Sequence, residues 1–149
     1  MRRAGLIPAL LALLLPAGAG RADGLDIYKK NCSVCHQAGG VGLPGSFPRL
    51  AGRADMLARQ PAGRTLMISA VLFGMAGRLE LDGKTIVGVM PPLPRLSDDD
   101  LAAVLTHIAS LEGGKAAPFT AAEVATLRAG VKKSPTEVNA MARALHGGG

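Results

Sequence analysis

The segment Cys32-Ser33-Val34-Cys35-His36 constrains this chain more than any other. Two thiols spaced by two residues, with a histidine directly after the second, form the attachment site of a c-type haem. The spacing follows from the chemistry. Each thiol adds to one vinyl group of the porphyrin, so the two sulfurs have to reach neighbouring edges of one ring. His36 then falls beneath the iron and offers a neutral imidazole nitrogen as the proximal ligand. The expected cofactor is one covalent haem c per chain.

Other chemistries use paired thiols. A redox dithiol expects a βαβ setting, whereas the residues before Cys32 read as helix. A four-ligand zinc site needs two further Cys or His close by. The next histidine is His107, and the chain has no other cysteine. A disulfide between Cys32 and Cys35 would close too small a loop to stabilise much. Haem attachment outweighs all of these.

The compartment agrees. Met1-Arg2-Arg3 is a positive start, and Leu6 to Leu15 is an apolar stretch. Residues 1–22 are expected to form a secretory signal peptide, cleaved after Ala19 or Ala22. The apolar core is short for a membrane span, and Pro8 interrupts it; an uncleaved anchor is the alternative. The mature chain is expected in the periplasm, with no stable membrane span, where thiols can be oxidised and then handed to haem.

About 130 residues remain after cleavage, enough for one domain. Aromatic residues make up 3% of the chain and tryptophan is absent. A core of Leu, Val, Ile and Ala is thin for this length, and a buried porphyrin would supply the missing apolar surface. The net charge is +6, partly from Arg2 and Arg3 in the leader. The other basic residues are scattered, with doublets only at Lys29-Lys30 and Lys132-Lys133. No aromatics interleave with them, which argues against nucleic-acid binding. A mildly basic face that steers docking onto an acidic protein partner fits better, beside the plain alternative of solvated side chains.

Apolar spacing along the chain is helical, with no alternating run long enough to suggest a sheet. Gly24 to Cys32 reads as a first helix, and Gln37 to Gly52 as a Gly/Pro-rich loop. Thr65 to Phe73 is a buried helix bounded by Gly63 and Gly74. Gly77 to Pro94 is loop. Ser97 caps a helix running to about Leu111, with Asp98, Asp99 and Asp100 in its first turn and Gly113-Gly114 ending it. Thr120 with Glu123, and Ser134 with Glu137, read as capping boxes of further helices. Gly147-Gly148-Gly149 should fray. The expected fold is all-α, with three to five helices around the haem. Residues 23–112 form that domain, and residues 113–149 a short helical C-terminal extension.

A six-coordinate iron needs a distal ligand, and the candidates after His36 are Met56, Met67, Met75, Met90, His107, Met141 and His146. Met90 sits in Gly88-Val89-Met90-Pro91-Pro92, a stiff stretch that presents a thioether with little entropy left to lose. Met75, in the loop after Gly74, is the rival. Met67 lies in an apolar helix and reads as core. Packing alone, with an open iron site, is the bland reading of Met90. Pro48, 12 residues beyond His36, could offer its carbonyl to the second nitrogen of the His36 ring. Leu50 could lie against the porphyrin. A plain turn is the alternative at Pro48.

Together these residues resemble the class I mono-haem c-type cytochromes, over about Gly24 to Leu111. The resemblance rests on the helix, Cys-Ser-Val-Cys-His, the Pro48-Arg49-Leu50 loop, the Met90-Pro91 loop and the closing helix. It implies an all-α cytochrome c fold, His36 and Met90 as axial ligands, and the Pro48 carbonyl on His36. It also implies a crossing of the first and closing helices at Gly24 and Tyr28. There the family usually has an aromatic, and this chain has His107, read as packing rather than as a ligand. Phe47 to Gly52, Thr65 to Gly74 and Lys115 to Val124 are also similar to the small cytochromes that accompany periplasmic dehydrogenases. Where those relatives often carry a Ser-Trp-Gly-Asn-like turn, this chain has Leu111-Glu112-Gly113-Gly114.

The resemblance implies a one-electron carrier rather than an enzyme, exchanging electrons with a redox donor and acceptor: a dehydrogenase, an oxidase or another cytochrome. Arg49, Arg53, Arg78 and Arg95 are the candidate docking residues. The alternatives are a haem subunit of a dehydrogenase complex, and a haem enzyme or gas-binding protein with an open distal site.

Overall fold

In the computed structural model, which describes residues 23–146, Asp23 opens the first helix. Its carboxylate accepts from the Leu25 amide at 3.0 Å, satisfying one of the free amides of α1 (Gly24–Asn31). A four-residue helix, α2 (Ser33–His36), follows. The expected signal peptide (1–22) and the terminal glycines lie outside the described residues.

The closing helix begins where its caps indicate. Ser97 Oγ accepts from the Asp100 amide at 3.1 Å, and α5 runs Asp98–Ser110 with three aspartates in its first turn. Helices α1 and α5 cross in close contact. A Cβ on Gly24 would lie 2.3 Å from the Ala103 carbonyl oxygen and 2.9 Å from His107 Cβ, so only glycine fits. Beside that crossing the Tyr28 and His107 rings pack with centroids 5.5 Å apart. His107 takes the packing place expected of it.

Between these helices lie α3 (Arg53–Ala58) and α4 (Pro61–Phe73). Gly63 sits inside α4 and does not bound it. A Cβ there would be 2.1 Å from the Leu57 carbonyl oxygen, so this glycine serves the close approach of α3 and α4.

The segment expected to be a loop after α4 is instead an antiparallel hairpin. β1 (Met75–Leu81) pairs with β2 (Lys84–Met90), from Met75 opposite Met90 to Leu81 opposite Lys84. Asp82 and Gly83 form the turn with φ of 53° and 69°, the two positive angles of a type I′ turn. Leu79 and Leu81 are buried while Glu80 between them is exposed. That alternation is short, and its glycines and flanking prolines punctuate the sequence like a loop. The Asp-Gly pair carries the hairpin signal.

Both C-terminal capping boxes form. Thr120 Oγ1 accepts from the Glu123 amide while Glu123 accepts from the Thr120 amide, starting α6 (Ala121–Ala129). Ser134 and Glu137 do the same for α7 (Pro135–His146). Arg64 ties α4 to the start of α6. It binds Glu123 and the Ala117 and Pro118 carbonyls, and lies over the Phe119 ring. The main core gathers Tyr28, Ile68, Leu101, Val104, Phe119 and Val124. A second core packs Val138 and Ala142 of α7 on Leu66, Leu79 and Leu81. Helix α7 thereby covers the hairpin. The fold is α-helical, as expected, with this one hairpin added.

Candidate haem site

Helix α1 delivers the first cysteine, since the Cys32 amide bonds the Tyr28 carbonyl at 2.8 Å. One turn later the His36 amide bonds the Cys32 carbonyl at 2.9 Å, so both sulfurs and the imidazole come from a single turn of backbone. Cys32 and Cys35 are half-buried and not joined to each other. Burial first, and the neighbouring Cys35 second, push the Cys32 thiol up to about 11. A redox dithiol needs its attacking thiol shifted the other way.

His36 is buried, and its Nδ1 lies 2.9 Å from the Pro48 carbonyl oxygen. A carbonyl only accepts, so Nδ1 carries the proton and Nε2 keeps its lone pair. Burial lowers the His36 pKa, against a smaller raising effect of the Pro48 carbonyl. The ring is thus neutral and fixed in one tautomer.

The loop that presents Pro48 is folded back on the motif. The Gly42 amide bonds the His36 carbonyl at 2.9 Å, and the Leu50 and Ala51 amides both bond the Gly40 carbonyl. Gly42 has φ of +68°, and a Cβ there would come within 2.7 Å of the Pro48 carbonyl carbon. Only glycine allows that approach. Tyr28 Oη donates to the Gln37 carbonyl at 2.7 Å, bracing the same loop against α1.

Two adjoining lobes open beside His36. One, of about 790 Å³ counting its mouth, is lined by Cys32, Leu50, Met67, Leu105 and Ile108, among others. The second, of about 950 Å³ on the same measure, is lined by Cys35, Phe47 and the outer hairpin. His36, Pro48, Met75, Leu79 and Met90 line both. The wall of the first is almost wholly apolar, and that of the second mostly so. Such a slot, with two thiols at its edge and a neutral imidazole in its wall, fits an iron porphyrin.

Met90 ends β2, and the Leu93 amide two residues beyond Pro91 bonds the Val71 carbonyl at 2.8 Å. Gly74, at φ +77°, brings the end of α4 against the Met90 carbonyl, where a Cβ would lie 2.6 Å away. Met75 is the cross-strand neighbour of Met90, so the rival thioether stands beside the favoured one. Met67 belongs to the main core and also lines the slot.

The arginines expected to frame the haem edge divide. Arg49 pairs with Glu112, and Arg78 with Glu80. Arg95 is exposed. Arg53 does not suit docking, because its side chain is only 16% exposed and faces Asp82 at 2.6 Å. Sequence reasoning missed Leu79, Leu81 and Ala142 as lining residues, and named His146 only among the possible iron ligands. The Asp-Gly turn signalled the first two. Nothing local signalled the pair from α7.

The family model described as Cytochrome c matches residues 21–112. The chain is 41% identical over 143 residues to a "Cytochrome c-552" of Thermus thermophilus, covering 91% of this chain and 95% of that protein. A second Thermus thermophilus cytochrome c-552 is 41% identical over 130 residues, covering 84% of this chain and 98% of that protein. The cytochrome c subunit of a quinone alcohol dehydrogenase from Gluconacetobacter polyoxogenes is 28% identical over 135 residues, which cover 81% of this chain but 25% of that protein. Among the described residues, no helix is long and apolar enough to cross a membrane. With one covalent haem c on the Cys32-Cys35-His36 motif and an electron-carrying role without catalysis, the chain belongs to the cytochrome c family as a class I mono-haem member.

Proposed function

We propose that this cytochrome is a periplasmic one-electron shuttle whose iron is held by His36 Nε2 and Met90 Sδ. The observation that carries the reading is the Nδ1 to Pro48 carbonyl bond. It aims a neutral imidazole nitrogen into the slot that Met90 also lines. When bound, the haem supplies the one-electron couple of its iron. The chain's own residues do the rest. Pro48 fixes the His36 tautomer. Leu50, Leu105 and Ile108 exclude water. A thioether ligand in a dry pocket favours the less charged ferrous state and raises the potential.

Residues 1–22 are proposed as the leader that exports the chain, with residues 23–112 as the haem-binding unit and residues 113–149 as the extension. The donor is proposed to be a dehydrogenase, in keeping with the resemblance to dehydrogenase cytochrome subunits. Exposed Phe47, Val87 and Val89 rim the outer lobe and suit the small, brief contacts of redox partners. Arg49, Arg78 and Arg95 would steer the encounter.

Stopped-flow mixing of the exported ferrous protein with carbon monoxide tests the shuttle reading. Binding should be slow and limited by loss of the sulfur ligand. Fast, diffusive binding would mean an open distal site and a gas-binding or enzymatic role instead. Amino-terminal sequencing of the exported product should begin at residue 20 or 23.

A further inference from the structure

The apolar slot contains one cation whose bonding is incomplete. Arg53, at the start of α3, lines the inner lobe with a side chain that is mostly buried. Its Nη2 donates to Asp82 in the hairpin turn at 2.6 Å. Its Nε is buried and has no partner among the described residues. A buried guanidinium N–H left unpaired is costly, so an acceptor is missing at this point. His146, the last residue of α7, lines the same lobe and is half-buried. The other polar groups around that lobe are engaged: His36 on Pro48, and Arg49 on Ala51 and Glu112.

A porphyrin bound through its vinyl groups brings carboxylates on its opposite half. We propose that Arg53 and His146 bind a haem carboxylate at the mouth of the slot, and that His146 gains a proton from solvent when the iron gains its electron. The site joins three elements distant in sequence: α3, the hairpin turn and the end of α7. Arg53 stays charged throughout and supplies the anchor. His146 is the member that titrates.

The surroundings of His146 set the direction. Arg53 faces it from α3 and Asp82 from the turn. Arg78 and Glu80 of β1, with Arg143 of α7 itself, line the hollow on its outer side. The part of α4 packed here, Leu66 and Ala70, is apolar. Burial and Arg53 hold the His146 pKa below the ordinary histidine value, and Asp82 offsets part of that. Reduction removes one positive charge from the iron. A proton on His146 is therefore less opposed in the ferrous state, and its affinity rises. By linkage the potential falls as pH rises through the His146 titration. The proposal rests on the haem lying in the slot and not on the identity of the distal ligand.

Potentiometry of the intact haem-loaded protein across pH 5 to 8 tests it. In the wild type the midpoint potential should fall with pH in the histidine range, and in His146→Gln that fall should vanish. Arg53→Gln should lower the potential at every pH, while Arg53→Lys should restore most of it. NMR titration of the wild-type imidazole needs no variant to fold: His146 should bind its proton more tightly in the ferrous than in the ferric protein. An unchanged pH slope in His146→Gln would overturn the proposal. So would identical His146 titration in the two redox states, or a wild-type potential in Arg53→Gln. The sulfur-to-iron band of each variant, read alongside, shows separately whether the distal ligand is in place.

Discussion

Met75 and Met90 are directly opposed across the first residue pair of the β1–β2 hairpin. Residues opposed in an antiparallel pair project from the same face, with Cβ atoms about 5 Å apart. Both methionines therefore line the slot together. Met90 is followed by Pro91 and Pro92, whose fixed φ stiffens its exit. Met75 is followed by Ala76, which places no such constraint on its exit. That asymmetry is the structural case for Met90 as the distal ligand, and it makes Met75 the natural control.

Pro48→Ala separates the carbonyl from the ring that bears it. The substitution keeps the acceptor of the His36 Nδ1 bond, so the haem spectrum should stay as in the wild type. Stability should fall by about 0.5–1 kcal/mol, because the unfolded chain gains freedom. Denaturant midpoints followed in the Soret region check both. A changed spectrum would mean that the proline ring, and not the carbonyl, positions the imidazole.

Gly24→Ala should be costly out of proportion to one methyl group. The new Cβ would lie 2.3 Å from the Ala103 carbonyl oxygen, so α1 and α5 would have to part. Overpacking of this kind costs about 1–3 kcal/mol, readable as a lowered thermal midpoint. The rings of Tyr28 and His107 would lose contact with it.

Acid should weaken the tie between α4 and α6. The Arg64 guanidinium beside Glu123 draws its carboxyl down to about 2 from an ordinary 4.5. A depressed carboxylate contributes stability at pH above 4.5, and the contribution drains as pH falls towards 2. More than a third of the Glu123 side chain is exposed, so solvent screening leaves this worth about 1 kcal/mol. Glu123→Gln should be less stable than the wild type at pH 7, with the gap closing by pH 2. A gap that stays constant with pH would remove the charge from the explanation.

Removing the cofactor should remove much of the fold. The slot walls include Leu50, Met67, Leu79, Leu105 and Ile108, which need a partner surface. The chain otherwise offers few aromatics to fill it. A Cys32→Ala, Cys35→Ala double variant, which cannot attach haem, should lose most of its far-UV helical signal. Native-like helicity in that variant would show that the polypeptide core suffices.

What the sequence disclosed depended on how local each signal was. The Cys32 to His36 spacing, the Ser97 cap and the two C-terminal capping boxes are set within a few residues, and each reads directly. The Gly24–His107 crossing came from the family resemblance. The hairpin was missed because glycine and proline mark loops and strand ends alike, and the decisive pair, Asp82-Gly83, is short. The approach of Arg53 to His146 joins residues far apart in the chain. Only the packing of α7 over the hairpin brings them together, and no spacing rule encodes that.

The ligation claim at the centre of this account is tested most directly by the far-red sulfur-to-iron charge-transfer band of the oxidised, haem-loaded protein. The band should be present in the wild type and in Met75→Ala, and lost in Met90→Ala. Its absence from the wild type, or its persistence in Met90→Ala, would contradict the assignment of Met90 to the iron.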